Sequence, residues 1–168
     1  MRLDFSKVFE WSIYYERAGS KDGSAKDIAL MHTEARLFLE HFNWCAGVLE
    51  EYVGFIYPGI VAVFLFRIRP AREGVDEWVW IVVGDLPPAY ITCEESPNPA
   101  AALDAYIGAM EEWVDAASRG ASTDGLIPVN VAPTAENGER LKLRLELIDK
   151  NILSGYLDDL GRPSGIAE

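Results

Sequence analysis

Two apolar runs, residues 60–66 and 78–83, constrain this chain more than anything else in its 168 residues. Neither alternates apolar with polar side chains, so a strand built from either has no face to offer to water. The second run is Trp78, Val79, Trp80, Ile81, Val82 and Val83, and β-branched and aromatic residues of this kind suit a pleated backbone. Both strands therefore belong in the middle of an antiparallel sheet that is covered on both sides. Helices supply one cover, and the amino-terminal segment or a second copy of the chain, in a homodimer, supplies the other.

The turns and helices follow from the residues around these runs. Residues 52–57 read as extended, and Pro58-Gly59 then reverses the chain, because proline presets φ and glycine accepts a positive φ. Residues 60–68 return as a hairpin. After Arg69-Pro70 a polar stretch reaches Gly74, and 78–83 pairs antiparallel with the previous strand. Pro87 and Pro88 cannot donate ladder hydrogen bonds, so 89–93 resumes the sheet only as a short edge strand. Steps of three and four link Ala35, Phe38, Phe42, Cys45, Leu49 and Tyr52 and predict a helix over 33–52, with Thr33 as its cap and Glu34 in its first turn. Asn98-Pro99 opens a second helix, 99–119, with the stripe Leu103, Tyr106, Ile107, Met110, Val114 and Ala117 and with Gly120 as its stop. Thr134 caps a third, 134–154, in which Leu141, Leu145, Ile148 and Ile152 form one stripe and Leu143 and Leu147 widen it. Trp11, Ile13 and Tyr15 alternate in the period of a strand, 19–27 reads as a surface loop, and 127–131 as a short extended piece. The expected fold is α+β: a two-layer domain with an antiparallel sheet of three to five strands and three main helices. It occupies 1–168 as one domain, with 1–27 loosely attached and 157–168 a frayed tail.

Composition narrows the partners. Asp and Glu number 27 against 15 Lys and Arg, a formal net charge of −12. A field of that sign repels phosphate backbones and anionic lipid, which argues against nucleic acid and membrane surfaces and leaves a basic protein or a small molecule as partner. Cys45 and Cys93 are too few for a disulfide scaffold and read as buried thiols. The first residues lack the pattern of a secretory signal, and no apolar run approaches the roughly 20 residues that span a bilayer. The cytoplasm is the expected compartment.

Catalytic templates are missing. No glycine-rich phosphate loop opens a helix in a βαβ context, and the two histidines and two cysteines show no metal-ligand spacing, so neither a nucleotide cofactor nor a metal is expected. His41 and Cys45 lie four apart, which on a helix would make them neighbours, but Cys45 belongs to the apolar stripe and reads as an inert thiol. His32 reads as a solvated loop residue. The paired acids Glu50-Glu51, Asp76-Glu77, Glu94-Glu95, Glu111-Glu112 and Asp158-Asp159 point to different faces of any regular element and form no ready acid–base dyad. Trp78 and Trp80 share one strand face without the interleaved cations of a nucleic-acid platform.

One segment invites a functional reading. In Val83-Gly84-Asp85-Leu86-Pro87-Pro88-Ala89-Tyr90 a strand ends on glycine, an acid follows, and two prolines stiffen what comes next, which is how binding groups are often presented. Asp85 and Tyr90 are the candidate ligand-binding residues, and the structural alternative is that Asp85 only caps a turn. This segment, with Ile127-Pro128-Val129-Asn130-Val131, resembles a bacterial protein family to which no activity is attached. The resemblance covers roughly residues 34–153 and implies no functional residue. The function expected from the residues themselves is noncatalytic binding, as in an inhibitor or immunity-type protein that masks a basic surface. The alternative is an enzyme or small-ligand sensor with its pocket beside the 84–90 loop.

Overall fold

The structure is a computed structural model that describes residues 2–19 and 23–162. The chain forms two compact units, Met1–Ala102 and Leu103–Glu168. The fold is α+β, with a five-stranded antiparallel sheet.

The first unit holds the sheet. A 3-10 turn, Phe5–Lys7, leads into strand β1 (Phe9–Glu10) and helices α1 (Trp11–Gly19) and α2 (Ala25–Glu40). Strands β2 (Cys45–Tyr57), β3 (Val61–Pro70), β4 (Trp78–Gly84) and β5 (Ala89–Thr92) follow, and the strand order β1-β2-β3-β4-β5 is a plain meander. The hairpin at Pro58-Gly59 is present: Ile60 N–H donates to Tyr57 O at 2.9 Å, and Gly59 has φ +74°. The register places Phe64 opposite Ile81 and Leu65 opposite Trp80.

The two apolar strands are buried on both faces within one chain, as their sequences require. On one face Phe64, Phe66, Ile68, Val79, Ile81 and Val83 meet Ile28, Met31, Ala35 and Leu39 of α2. On the other, Val63, Leu65, Trp80 and Val82 are buried, and the indole N–H of Trp80 donates to Ser96 O at 2.8 Å. A large buried ring with its one donor satisfied fixes the loop after β5 against the sheet.

Several expectations are overturned. The helix expected over 33–52 is α2, which begins at Ala25 and ends at Glu40; Thr33 lies inside it rather than at its cap. The chain then turns, Cys45 N–H donating to Phe42 O at 3.2 Å, and 45–57 is strand β2. Register shifts at Cys45/Gly47, Val48/Glu50 and Val53/Phe55 break the two-residue alternation of β2, so its residues happened to continue a helical spacing. Trp11–Gly19 is a helix, not a strand. Trp11, Tyr14 and Ala18, at helical spacing, pack against the core, and the Glu10 carboxylate accepts from Ser12 N and Ile13 N, each at 3.1 Å. The amino-terminal segment is thus attached by the β1–β2 pairing and by α1, and only 20–22 of the expected loop lie outside the described residues.

The second unit carries most of helix α3 (Pro99–Ser118), helix α4 (Ala135–Asn151) and a 3-10 stretch, Leu153–Leu160. The α3 boundaries agree with expectation. Asn98 Oδ1 accepts from Ala101 N at 2.8 Å at one end. At the other, Gly120 N donates to Ala117 O and Ala121 N to Ala116 O, the paired bonds of a Schellman stop. Thr134 caps α4 by accepting from Asn137 N at 3.1 Å, and Leu141, Leu145, Ile148 and Ile152 are buried. Leu143 and Leu147 do not widen that stripe, since they are 53% and 59% exposed. Residues 127–131 join no strand. The tail does not fray at 157: Arg162 N–H donates to Leu157 O at 2.8 Å, and residues 163–168 lie outside the described residues.

Candidate functional site

The candidate site is a cleft at the Trp78 end of β4. Antiparallel pairing of Val79 with Thr92 sets the residues just before β4 beside those just after β5, so Asp76, Glu77 and Trp78 face Cys93 and Glu94. The amino-terminal residues Arg2, Leu3 and Phe5 form the third wall, and the cleft encloses about 680 Å³. Asp4 holds that wall in place. Its N–H donates to Pro97 O at 2.8 Å, and its carboxylate accepts from Ser6 N at 3.1 Å and Ser6 Oγ, which lowers its pKa. Phe5 sits edge-on to Trp78 at 5.1 Å and to Tyr52 at 5.9 Å and remains 47% exposed. Aromatic surface of this kind left open to water is characteristic of recognition sites.

Behind the aromatic wall lies an ion cluster. Arg67, opposite Trp78 in the register, donates from Nη1 to Glu50 Oε2 at 2.8 Å and from Nε to Glu77 Oε2 at 3.2 Å. Its guanidinium carbon lies 5.9 Å from the centre of the Trp78 ring. Tyr52 donates its hydroxyl proton to Glu50 Oε1 at 2.7 Å. The bond from Arg67 lowers the Glu50 pKa, that from Tyr52 lowers it further, and the same two bonds raise the Arg67 and Tyr52 values. Burial, with Asp76 nearby, pushes the Cys93 thiol up to about 12, so it is a poor nucleophile at neutral pH. Open carboxylates, aromatic rings and a silent thiol make a surface suited to binding a cation. They do not make a nucleophile paired with a base.

A second cluster lies on the helix face of the same sheet. His32 stacks on Trp11 with centroids 3.9 Å apart and planes 8° from parallel, and its Nε2 lies 2.9 Å from Glu51 Oε1. Arg36 donates to the same oxygen at 2.6 Å and also to Glu40. The bond to His32 is the main reason the Glu51 pKa is lowered, against an opposing burial effect. His32 is therefore a half-buried helix residue, not a solvated loop residue. It pins α1 and α2 to β2. The core stripe Ile28, Met31, Ala35 and Leu39 could have revealed it, because His32 adjoins Met31 on the same helix.

The residues singled out from sequence lie elsewhere. Asp85 is exposed at the bend after β4, and its N–H donates to Ile60 O at 3.0 Å. Tyr90 pairs with Ile81 and packs edge-on against Phe42 and Trp44 at 5.2 and 5.1 Å. Gly84 and Tyr90 are thus three residues apart along the sheet register, or about 10 Å at the usual strand rise. His41 and Cys45 are not helical neighbours, since one ends α2 and the other begins β2. Both Cys45 and Cys93 are half-buried rather than fully buried. In the second unit, a groove of about 460 Å³ between α3 and α4 is lined by Glu111, Asp115, Glu139, Glu146 and Lys142, without an aromatic ring.

Among the described residues no three His, Cys, Asp or Glu side chains are grouped to hold a metal ion, and no helix is long and apolar enough to cross a membrane. No family model matches the chain, and neither a curated protein nor a solved structure matches it.

Proposed function

We propose that the chain is a noncatalytic interaction protein that binds a basic protein partner at the acidic aromatic cleft, as an inhibitor or immunity-type protein masks a basic surface. The observation that carries this reading is the cleft itself, lined by Asp76, Glu77 and Glu94 against one cation, Arg2, together with the rings of Phe5 and Trp78. The net charge of −12 adds long-range attraction for a basic partner and repulsion for nucleic acid. Free Cys45 and Cys93 suit a reducing compartment such as the cytoplasm. The small-ligand alternative beside Gly84 has less support, because Tyr90 lies three residues from Gly84 along the register and Gly84 has a structural role of its own.

Charge steering acts mainly on association rate and is screened by salt. Affinity capture at low ionic strength should retain a basic protein that elutes as salt rises, and its association rate should fall steeply with ionic strength. Capture of only neutral or acidic proteins, or a salt-independent association rate, overturns the reading.

A further inference from the structure

Behind the cleft, two of its wall residues already engage a cation. Arg67 is bonded to Glu77 and sits 5.9 Å from the centre of the Trp78 ring, and both Glu77 and Trp78 line the opening. The other two carboxylates of the cleft, Asp76 and Glu94, form no ion pair among the described residues. A ring and a carboxylate are thus committed to one guanidinium, with two further carboxylates, the exposed Phe5 ring and one lining cation, Arg2, placed beside them.

We infer that the cleft receives an arginine side chain of the basic partner, with its guanidinium at Asp76 and Glu94 and its flat face against the aromatic wall. This deepens the proposed function and rests on it. Arginine fits better than lysine for physical reasons. A guanidinium is planar, stacks on aromatic rings, forks two hydrogen bonds to a carboxylate and sheds water more readily than an ammonium. A volume of about 680 Å³ accommodates the side chain together with its flanking backbone. The α3–α4 groove offers the contrast, because it has acidic residues and no ring.

The test is an amide NMR titration at low ionic strength with a short peptide carrying two arginines, compared with its lysine and citrulline counterparts. Shifts should concentrate on the Trp78 indole and on the amides of Cys93 and Glu94. The arginine peptide should bind several-fold more tightly than the lysine one, and the citrulline peptide should not bind. The double variant Asp76→Asn/Glu94→Gln should weaken binding about tenfold, as loss of charge-assisted hydrogen bonds predicts, while Glu111→Gln/Glu146→Gln in the other groove should leave it unchanged. All four sites are exposed or at a surface groove, and the amide spectrum itself reports whether each variant is folded. Binding with diffuse shifts, no arginine preference, or no effect of the Asp76/Glu94 variant overturns the arginine site while leaving a basic partner in place. Failure of every basic peptide to bind also overturns it, and the capture experiment then decides the broader function separately.

Discussion

The two ends of β4 differ in a way that separates folding from recognition. At its carboxy-terminal end Gly84 closes against backbone: a Cβ there would lie 2.2 Å from Ile60 O and 2.8 Å from both Ile60 C and Val61 Cα, at φ +145°. At its amino-terminal end Trp78 opens into the cleft beside Asp76, Glu77, Cys93 and Glu94. The glycine that attracts attention in the sequence is thus explained by packing. The end that carries exposed charge and open rings bears no motif at all. Conspicuous residue types mark where the backbone is constrained, and a binding surface can be built from ordinary residues that the sheet register brings together.

The largest expected effect breaks the closed end. Gly84→Ala places its methyl against main-chain atoms that no side-chain rotation can clear, and it also strains φ. It should cost about 3 kcal/mol or more or prevent folding. A denaturant midpoint close to wild type, at unchanged m-value, would show that the close approach of Gly84 to Ile60 is wrong.

Trp78→Ala comes next, at the open end. Trp78 is half-buried and touches Phe5, Tyr52 and Arg67, so its loss should destabilise by about 1–3 kcal/mol, less than a fully buried tryptophan. The folded variant should also lose the arginine peptide. If Trp78→Ala were as damaging as Gly84→Ala, the two ends of β4 would not differ as the structure says, and the cleft would be core rather than surface.

Much of the fold was legible in the sequence because its signals are local or strongly periodic. The two apolar runs, the Pro58-Gly59 reversal, the Asn98 and Thr134 caps and the Gly120 stop each depend on a few neighbouring residues. What was missed depends on partners far along the chain. Three register shifts hid the alternation of β2, and a strand-like alternation hid the helical packing of Trp11, Tyr14 and Ala18. The cleft needs residues 2–5, 76–78 and 93–94 together, and their spacing along the chain gives no sign of it before β4 and β5 are paired.

Adjacent Glu50 and Glu51 sharpen the comparison at a smaller scale, because they point to opposite faces of β2. Glu50 stands behind the open end with Arg67, while Glu51 bridges His32 and Arg36 on the helix face. Both have folded pKa values below the ordinary 4.5. Each therefore contributes stability that is present above that value and is lost as pH falls through the lower folded one. Glu51, with a side chain 22% exposed, should carry more of it than Glu50 at 35%. The stability lost on acidification should shrink in Glu51→Gln, by about 1 kcal/mol, and change less in Glu50→Gln. The reverse order would place the stronger coupling on the cleft side.

The smallest effect changes reactivity and leaves stability alone. Burial raises the Cys93 thiol from 9.0 to about 12. At a pH one unit below the ordinary value, its thiolate fraction should drop from about one in ten to about one in ten thousand, a loss of roughly three orders of magnitude. A more basic thiolate is also a better nucleophile, with a Brønsted slope of about 0.4–0.5, which restores between one and one and a half orders. The net expectation is reaction with a disulfide reagent about thirty- to a hundredfold slower in the folded chain than in denaturant. The measurement uses a Cys45→Ser background, so that Cys93 alone reports. Equal rates in the folded and unfolded chain would mean that water reaches the thiol freely. The wall formed by residues 2–5 would then not be closed against β4 and β5, and the open end of β4 would be a flat surface instead of a cleft.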